Sequence, residues 1–171
     1  AAGAPYGIQP YGTETMHVLR AEKGFPIVGQ DTDGTVTPHD LGMGWAVSRV
    51  KPFIGQRSFS RLSHQDEQRK QWVSLRPEDP QILLAEGAQI VADGVPVRPE
   101  PGRPVPMLGH VTSSYDSPAL GRTFALALVR GGRARDGQTV QVVSHGAVHR
   151  AVVGPTVLFD PENTRRDGDP S

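Results

Sequence analysis

The sequence predicts an α+β chain in which a short helical stretch leads into a small Greek-key β-barrel. Three observations carry that expectation. Helix-like patterning stops near residue 70. From Gln71 onward, short apolar runs recur between turn signals, which is the spacing of an all-β unit. Glycine supplies 20 and proline 16 of the 171 residues. That share exceeds the typical combined level of about 12%, and it favours many short elements joined by turns over a helix bundle.

The first helix is expected over residues 11–22, YGTETMHVLRAE. Pro10 and Gly12 mark its start, and Met16 with Leu19 gives an apolar stripe at helical spacing. Gly24 fits the left-handed position that ends a helix, and Pro26 prevents resumption. Residues 25–28 read as a strand or extended piece, and residues 30–35, QDTDGT, as a turn-rich loop. Thr37-Pro38-His39-Asp40 opens a second, short helix. Thr37 caps free amides, Pro38 suits the first helical position, and Asp40 faces the positive end of the dipole. Gly42 and Gly44 stop it. Trp45, Ala46 and Val47 follow as a short apolar run. A third helix covers about residues 55–61, and the polar residues 62–70 suit a linker.

Seven strand candidates follow, at residues 71–76, 89–92, 96–98, 107–114, 123–129, 139–144 and 148–153. Asp93-Gly94 is a two-residue hairpin signal between two of them, and Arg135-Asp136-Gly137 is another turn. Short strands in this number need closure or a second sheet to protect their edges, hence the barrel. The tail beyond Asp160 is polar and expected to fray.

Composition narrows the function. Lysine plus arginine total 18 and aspartate plus glutamate total 18, so the basic excess of a nucleic-acid binder is missing. The sequence has no cysteine, which excludes disulfides, thiolate zinc sites and cysteine nucleophiles. No apolar run approaches the roughly 18 residues of a membrane span. The expectation is a cytoplasmic protein with neither a nucleic-acid nor a membrane partner. The apolar share of 36% is low, and the chain starts at Ala1 without methionine. Both suggest a piece of something larger, with some core surface belonging elsewhere.

Several constellations invite chemistry. Asp31 and Asp33 resemble a fragment of a calcium loop. Such a loop needs more oxygen ligands and a glutamate six residues past the glycine, where Asp40 stands here. Local bonds from the two carboxylates to turn amides are the simpler expectation, and no metal site is expected. His145 and His149 are four apart, but Gly146 and the flanking valines favour a hairpin bearing exposed turn histidines over a zinc-binding helix. Ser113, Ser114 and Tyr115 lack a nucleophile elbow and are expected to serve turn or hairpin chemistry. No catalytic residue is assigned. Arg20 sits at a helix C-terminal end, where a cation is favourable. It either caps carbonyls and pairs with a nearby carboxylate, or holds the carboxylate of a small molecule through a two-pronged bond. Trp45 is either core, the default for a lone tryptophan, or one wall of a flat aromatic ligand's pocket.

Taken in order, these pieces resemble a known family. PYGTETMHVLRAEKGF, GQDTDGTVTPHDLGMGW and FIGQRSF, then GHVTSSYDSPALGRTFALALVRGG, DGQTVQV and AVVGPTVLFDP, are similar to the folate-dependent aminomethyltransferases. That family includes the T-protein of glycine cleavage and the C-terminal halves of dimethylglycine dehydrogenase and of the sarcosine oxidase alpha subunit. Glu22-Lys23-Gly24 in place of E-A-G, and Val28 in place of the tyrosine of L-Y-G, favour the oxidase branch.

The resemblance implies that residues 1–70 are the tail of a folate-binding α/β domain and residues 71–171 its C-terminal barrel. It implies tetrahydrofolate as the bound group, with Arg20 as the best folate contact and Trp45 as a wall. It also implies FAD, FMN and NAD elsewhere in the complete oxidase, and contact with the oxidase's other subunits and with a preceding part of the same subunit. The chemistry expected of the whole is oxidative demethylation of sarcosine to glycine, with the one-carbon unit leaving as 5,10-methylenetetrahydrofolate. The alternatives are a fragment of a T-protein or dimethylglycine dehydrogenase-like protein, or a structural module without activity of its own.

Overall fold

The computed structural model describes residues 2–98 and 100–165. Six antiparallel strands form a closed barrel: β1 (Lys70–Pro77), β2 (Gln89–Ala92), β3 (Met107–Ser117), β4 (Arg122–Arg130), β5 (Thr139–Ser144) and β6 (Ala147–Gly154). Around the barrel the order is β1-β4-β3-β2-β5-β6, and β6 pairs back onto β1. The hairpins β3–β4 and β5–β6 are sequential neighbours, whereas β1 joins strands distant in sequence. The expected α+β architecture with a small barrel is therefore present. Closure leaves no free edge to template association.

Alternation places Val73, Leu75, Ile90, Val111, Val140 and Val142 in the barrel interior, as side chains fill small barrels. Strand β4 reads as a nearly unbroken apolar run because both its faces are covered. Ala125, Ala127 and Val129 point inward. Phe124, Leu126 and Leu128 point outward, into a second cluster with Trp72, Tyr115 and Ala21. Val18, Val36, Leu41, Leu120 and Leu158 pack against that cluster. The N-terminal segment thus packs on the outer wall formed by β1, β4 and β3.

Helix α1 (Thr13–Glu22) ends as expected. Gly24 has φ +67°, its N–H donates to Ala21 O at 3.0 Å, and Phe25 N donates to Arg20 O at 2.8 Å. This is the paired carbonyl capping that a left-handed glycine permits. The barrel-facing side differs from expectation. Ala21 and Glu22 are buried and Val18 packs beside Ala21, whereas Met16 and Leu19 are about half exposed.

Residues 37–43 form a capped turn without continuing into a helix. Thr37 N and Oγ1 both donate to Asp40 Oδ2, at 2.8 and 2.9 Å, and Gly42 at φ +76° turns the chain away. The third expected helix is a 3-10 turn, Gln56–Ser60. A single α-turn, α2 (Leu62–Gln65), interrupts the expected linker.

The strands at 89–92 and 139–144 fall as expected, and four others extend by one to three residues at an end. Residues 96–98 form no strand. Pro96 has no N–H to donate to a ladder, and β2 pairs with β3 and β5. The Asp93-Gly94 turn therefore opens a long loop and no hairpin. In the tail, Lys23 Nζ donates to Asp160 Oδ2 at 3.1 Å and to Asn163 Oδ1 at 2.8 Å, so residues 160–163 are tied to α1. The rest of the expected fraying falls at residues 166–171, outside the described residues.

Candidate functional site around Arg20 and Asp31

A loop aspartate is the hub of a buried polar cluster that joins the N-terminal segment to the barrel. Asp31 has no solvent exposure. Its Oδ2 accepts from Arg20 Nη1 and from Ile27 N at 2.9 Å. Its Oδ1 accepts from Thr112 Oγ1 at 2.6 Å and Ser113 Oγ at 2.7 Å. A buried carboxylate is costly unless paired and fully hydrogen-bonded, and these four donors meet that requirement.

The geometry depends on an irregularity in β3. Its register against β4 shifts between Val111 and Ser113. In a regular strand, successive side chains face opposite sides. The extra residue here turns both the Thr112 and Ser113 hydroxyls onto one oxygen, a common use of a bulge. Tyr115, two residues on, accepts from Arg20 Nη2 at 2.8 Å. Its ring packs against Phe124 with centroids 6.1 Å apart, and Arg20 lies 5.4 Å from its centroid.

Arg20 projects from the last turn of α1. Besides Asp31 and Tyr115 it donates to Phe25 O at 3.2 Å. It therefore does what the structural alternative in the sequence foresaw, capping a carbonyl and pairing with a carboxylate. Two donors stay uncommitted. One is a second Nη2 hydrogen. The other is Nε, which is buried and has no acceptor among the described residues. The Arg20 side chain is 9% exposed, so an orphan N–H here costs about 1–3 kcal/mol.

Trp45 is 81% exposed, which overturns the core expectation. It lies in a 3-10 turn, Gly44–Ala46, and among the described residues no hydrogen bond or ring contact joins it to Arg20. A cavity of about 270 Å³ lies elsewhere, between Leu41 and the barrel wall at Trp72 and Gly132, and includes neither residue.

The two loop aspartates part company. Asp33 behaves as the turn reading foresaw, accepting from Thr35 N at 2.7 Å and Thr35 Oγ1 at 2.6 Å. Those bonds hold its carboxyl below the usual range. Asp31 makes long-range bonds that local pattern could not show. Ser113, Ser114 and Tyr115 lie within β3 and serve no turn. His145 does sit in the exposed β5–β6 turn at φ +50°, but His149 is a strand residue paired with Val142. Glu22 was also missed: it is buried and accepts from Ser117 Oγ at 2.6 Å.

Residues 70–160 match the family described as the glycine cleavage T-protein C-terminal barrel domain, and residues 1–51 match the GCVT N-terminal domain. The chain belongs to the glycine cleavage T-protein family. Among its relatives, a sarcosine oxidase subunit alpha from Corynebacterium sp. (strain P-1) is 58% identical over 168 residues, 98% of this chain and 17% of the relative. The corresponding subunit from Rhizobium meliloti is 43% identical over 96% of this chain and 16% of the relative. An aminomethyltransferase from Streptomyces avermitilis is 34% identical over 80% of this chain and 34% of the relative. The chain thus spans about a sixth of the oxidase subunits it matches. The crystal structure of glycine cleavage system aminomethyltransferase T from Bartonella henselae shares the fold, with a TM-score of 0.68 at 22% identity over 84% of this chain and 37% of that one. No helix among the described residues is long and apolar enough to cross a membrane.

Proposed function

We propose that this chain is the C-terminal portion of a sarcosine oxidase alpha subunit, in which it contributes to tetrahydrofolate binding. The observation that carries this reading is the 58% identity across 98% of the chain, against 34% for the aminomethyltransferase of Streptomyces avermitilis. Residues 1–70 then belong to the folate-binding domain and residues 71–171 form its terminal barrel. The complete enzyme oxidatively demethylates sarcosine to glycine in the cytoplasm. FAD, FMN and NAD lie elsewhere in it, and its other subunits are this chain's partners.

Tetrahydrofolate supplies the amine nitrogens that take up the one-carbon unit, to give 5,10-methylenetetrahydrofolate. The residues present offer such a group one contact: the second Nη2 hydrogen of Arg20, whose other Nη2 hydrogen goes to Tyr115. Arg20 is held from behind by Asp31 and Tyr115, so it presents that donor without further ordering. This is positioning, by which a reactive amine kept beside its electrophile gains effective concentration. Trp45 serves as an aromatic wall.

The exposed apolar side chains fit a chain completed by the rest of its subunit. Tyr6, Ile8, Tyr11, Trp45, Ile54 and Leu62 are each at least two-thirds exposed, as side chains covered by a further part of the subunit would be. The test is Arg20→Ala in the full-length subunit, titrated with tetrahydrofolate by calorimetry. Loss of about tenfold or more in affinity is expected for a charge-assisted bond. Unchanged affinity removes Arg20 from the site.

A further inference from the structure

We infer that residues 49–61 form a basic docking surface for an acidic face on the preceding part of the same subunit, resting on the reading above that this chain is the C-terminal portion of a longer one.

Between Asp40 and Asp66 the sequence has no carboxylate side chain. Four cations fall in that interval, Arg49, Lys51, Arg57 and Arg61, although the chain as a whole is neutral. All four are exposed, and none joins an ion pair among the described residues. Apolar side chains stand among them: Val50 and Ile54 are almost wholly exposed. A charge run alone is a solvated face, and a scattered exposed apolar residue is ordinary. The combination restricts what can cover this surface. A partner that buries Val50 also closes on Arg49 and Lys51, its neighbours in the chain. An apolar cover would leave those cations desolvated and unpaired, at a cost that opposes the apolar gain. Carboxylates on the covering face remove that cost, and opposite charge fixes the register of docking.

The surface is shaped in advance. The Phe59 ring meets His39 edge-on with centroids 5.0 Å apart, and lies 6.1 Å from Phe53 and 6.4 Å from His64. Ser58 Oγ donates to Gly55 O at 2.7 Å and Ser60 Oγ to Arg57 O at 2.8 Å, closing the 3-10 turn that carries Arg57. Docking therefore orders little backbone. The segment holds this turn and the four-residue α2, which is too short to lie in a membrane interface as an amphipathic helix. The covering part is the subunit's own because it is covalently tethered: the chain spans 17% of the Corynebacterium subunit it resembles. A tethered face docks at an effective concentration that a separate chain does not reach.

Lys51 tests this in the complete subunit, purified with its enzyme. Wild-type protein is labelled with an amine-acetylating reagent and, separately, with a carbodiimide, which joins an amine only to a carboxyl in contact with it. Peptides are read by mass spectrometry, with urea-unfolded enzyme as the reference. Acetylation of Lys51 should be largely lost in the folded enzyme, and its carbodiimide product should carry an aspartate or glutamate from the part of the subunit preceding this chain. Acetylation at the unfolded rate overturns the inference. So does protection without a cross-link, or a cross-link to another subunit or to a second copy. Tetrahydrofolate plays no part in these readouts, so their failure leaves the folate reading standing, and failure of the folate titration leaves the labelling result intact.

Discussion

Arg69 meets Asp40 side-on, with Nε 2.9 Å from one carboxylate oxygen and Nη2 2.6 Å from the other. The pair pins the turn at residues 37–43 to the start of β1, where Trp72 N also donates to Asp40 O at 2.9 Å. Burial pushes the Asp40 carboxyl up. The Arg69 hydrogen bonds, the two Thr37 donors and the Arg69 charge outweigh that, and the net shift is downward. A carboxyl depressed in the folded state contributes stability above its unfolded value of about 3.9, lost as pH falls through the lower folded value. Urea midpoints of Asp40→Asn should therefore fall less steeply than wild type below about pH 4. At neutral pH, Asp40→Ala should cost about 2–3 kcal/mol, because it strands a half-buried guanidinium.

His110 gives a second pH signature. Burial and then the positive charge of Lys70 hold its imidazole below the ordinary value, against a smaller upward pull from Asp33. The unfolded chain therefore takes up a proton near pH 6.5 that the folded chain refuses until lower pH, so His110 subtracts stability as pH drops through that interval. Replacing Lys70 with glutamine should move the His110 titration upward, followed by NMR of the ring protons. An unmoved titration would remove Lys70 as a cause.

The β3–β4 ladder sets a steric test. A Cβ on Gly109 would lie 1.8 Å from the carbonyl oxygen of Leu128, a backbone atom held in the sheet. Gly109→Ala should destabilise by about 2 kcal/mol or more, since one strand must move. Gly34 is the control. Nothing lies within 4 Å of its added Cβ, so Gly34→Ala should shift the thermal midpoint only marginally.

The bulge has its own energetic mark. Thr112→Val and Ser113→Ala each remove one hydroxyl from the same Asp31 oxygen, at a cost of about 1–2 kcal/mol apiece. Asp31→Ala should cost about 3–5 kcal/mol, because it leaves Arg20 buried and uncompensated. Chemical denaturation of the four proteins, including wild type, separates these values. A neutral Asp31→Ala would show that the cluster does not hold the N-terminal segment to the barrel.

Much of the barrel was legible because its signals are local. Strands at 89–92 and 139–144 are short apolar runs standing between turn residues, and Gly24 announced a helix end that needs no distant partner. What stayed hidden depends on contacts across the sequence. Met16 and Leu19 form a stripe at the right spacing, yet Val18 and Ala21 face the barrel, a choice made by the outer wall of β4. Asp31 looked like a surface turn residue because Thr112 and Ser113, which bury it, come from β3. The bulge that aims both hydroxyls leaves no trace in a run of T-S-S. Of the site, the sequence named Arg20 and missed the residues that hold it. The strand order also has no local signature, since β1 bonds to β4 and β6 and not to β2.

That last pairing governs when the fold can form. Ser74 meets Gly154 and Pro77 meets Ala151, so the first strand waits for the last before the cylinder shuts. During synthesis, a nascent chain that has just emitted β4 holds a four-stranded sheet with an open seam. Most pairings that finish the structure are distant in sequence, a trait of slow folders. A premature stop before residue 147 would therefore do more than trim an end strand. It would leave every earlier strand in a sheet that cannot close.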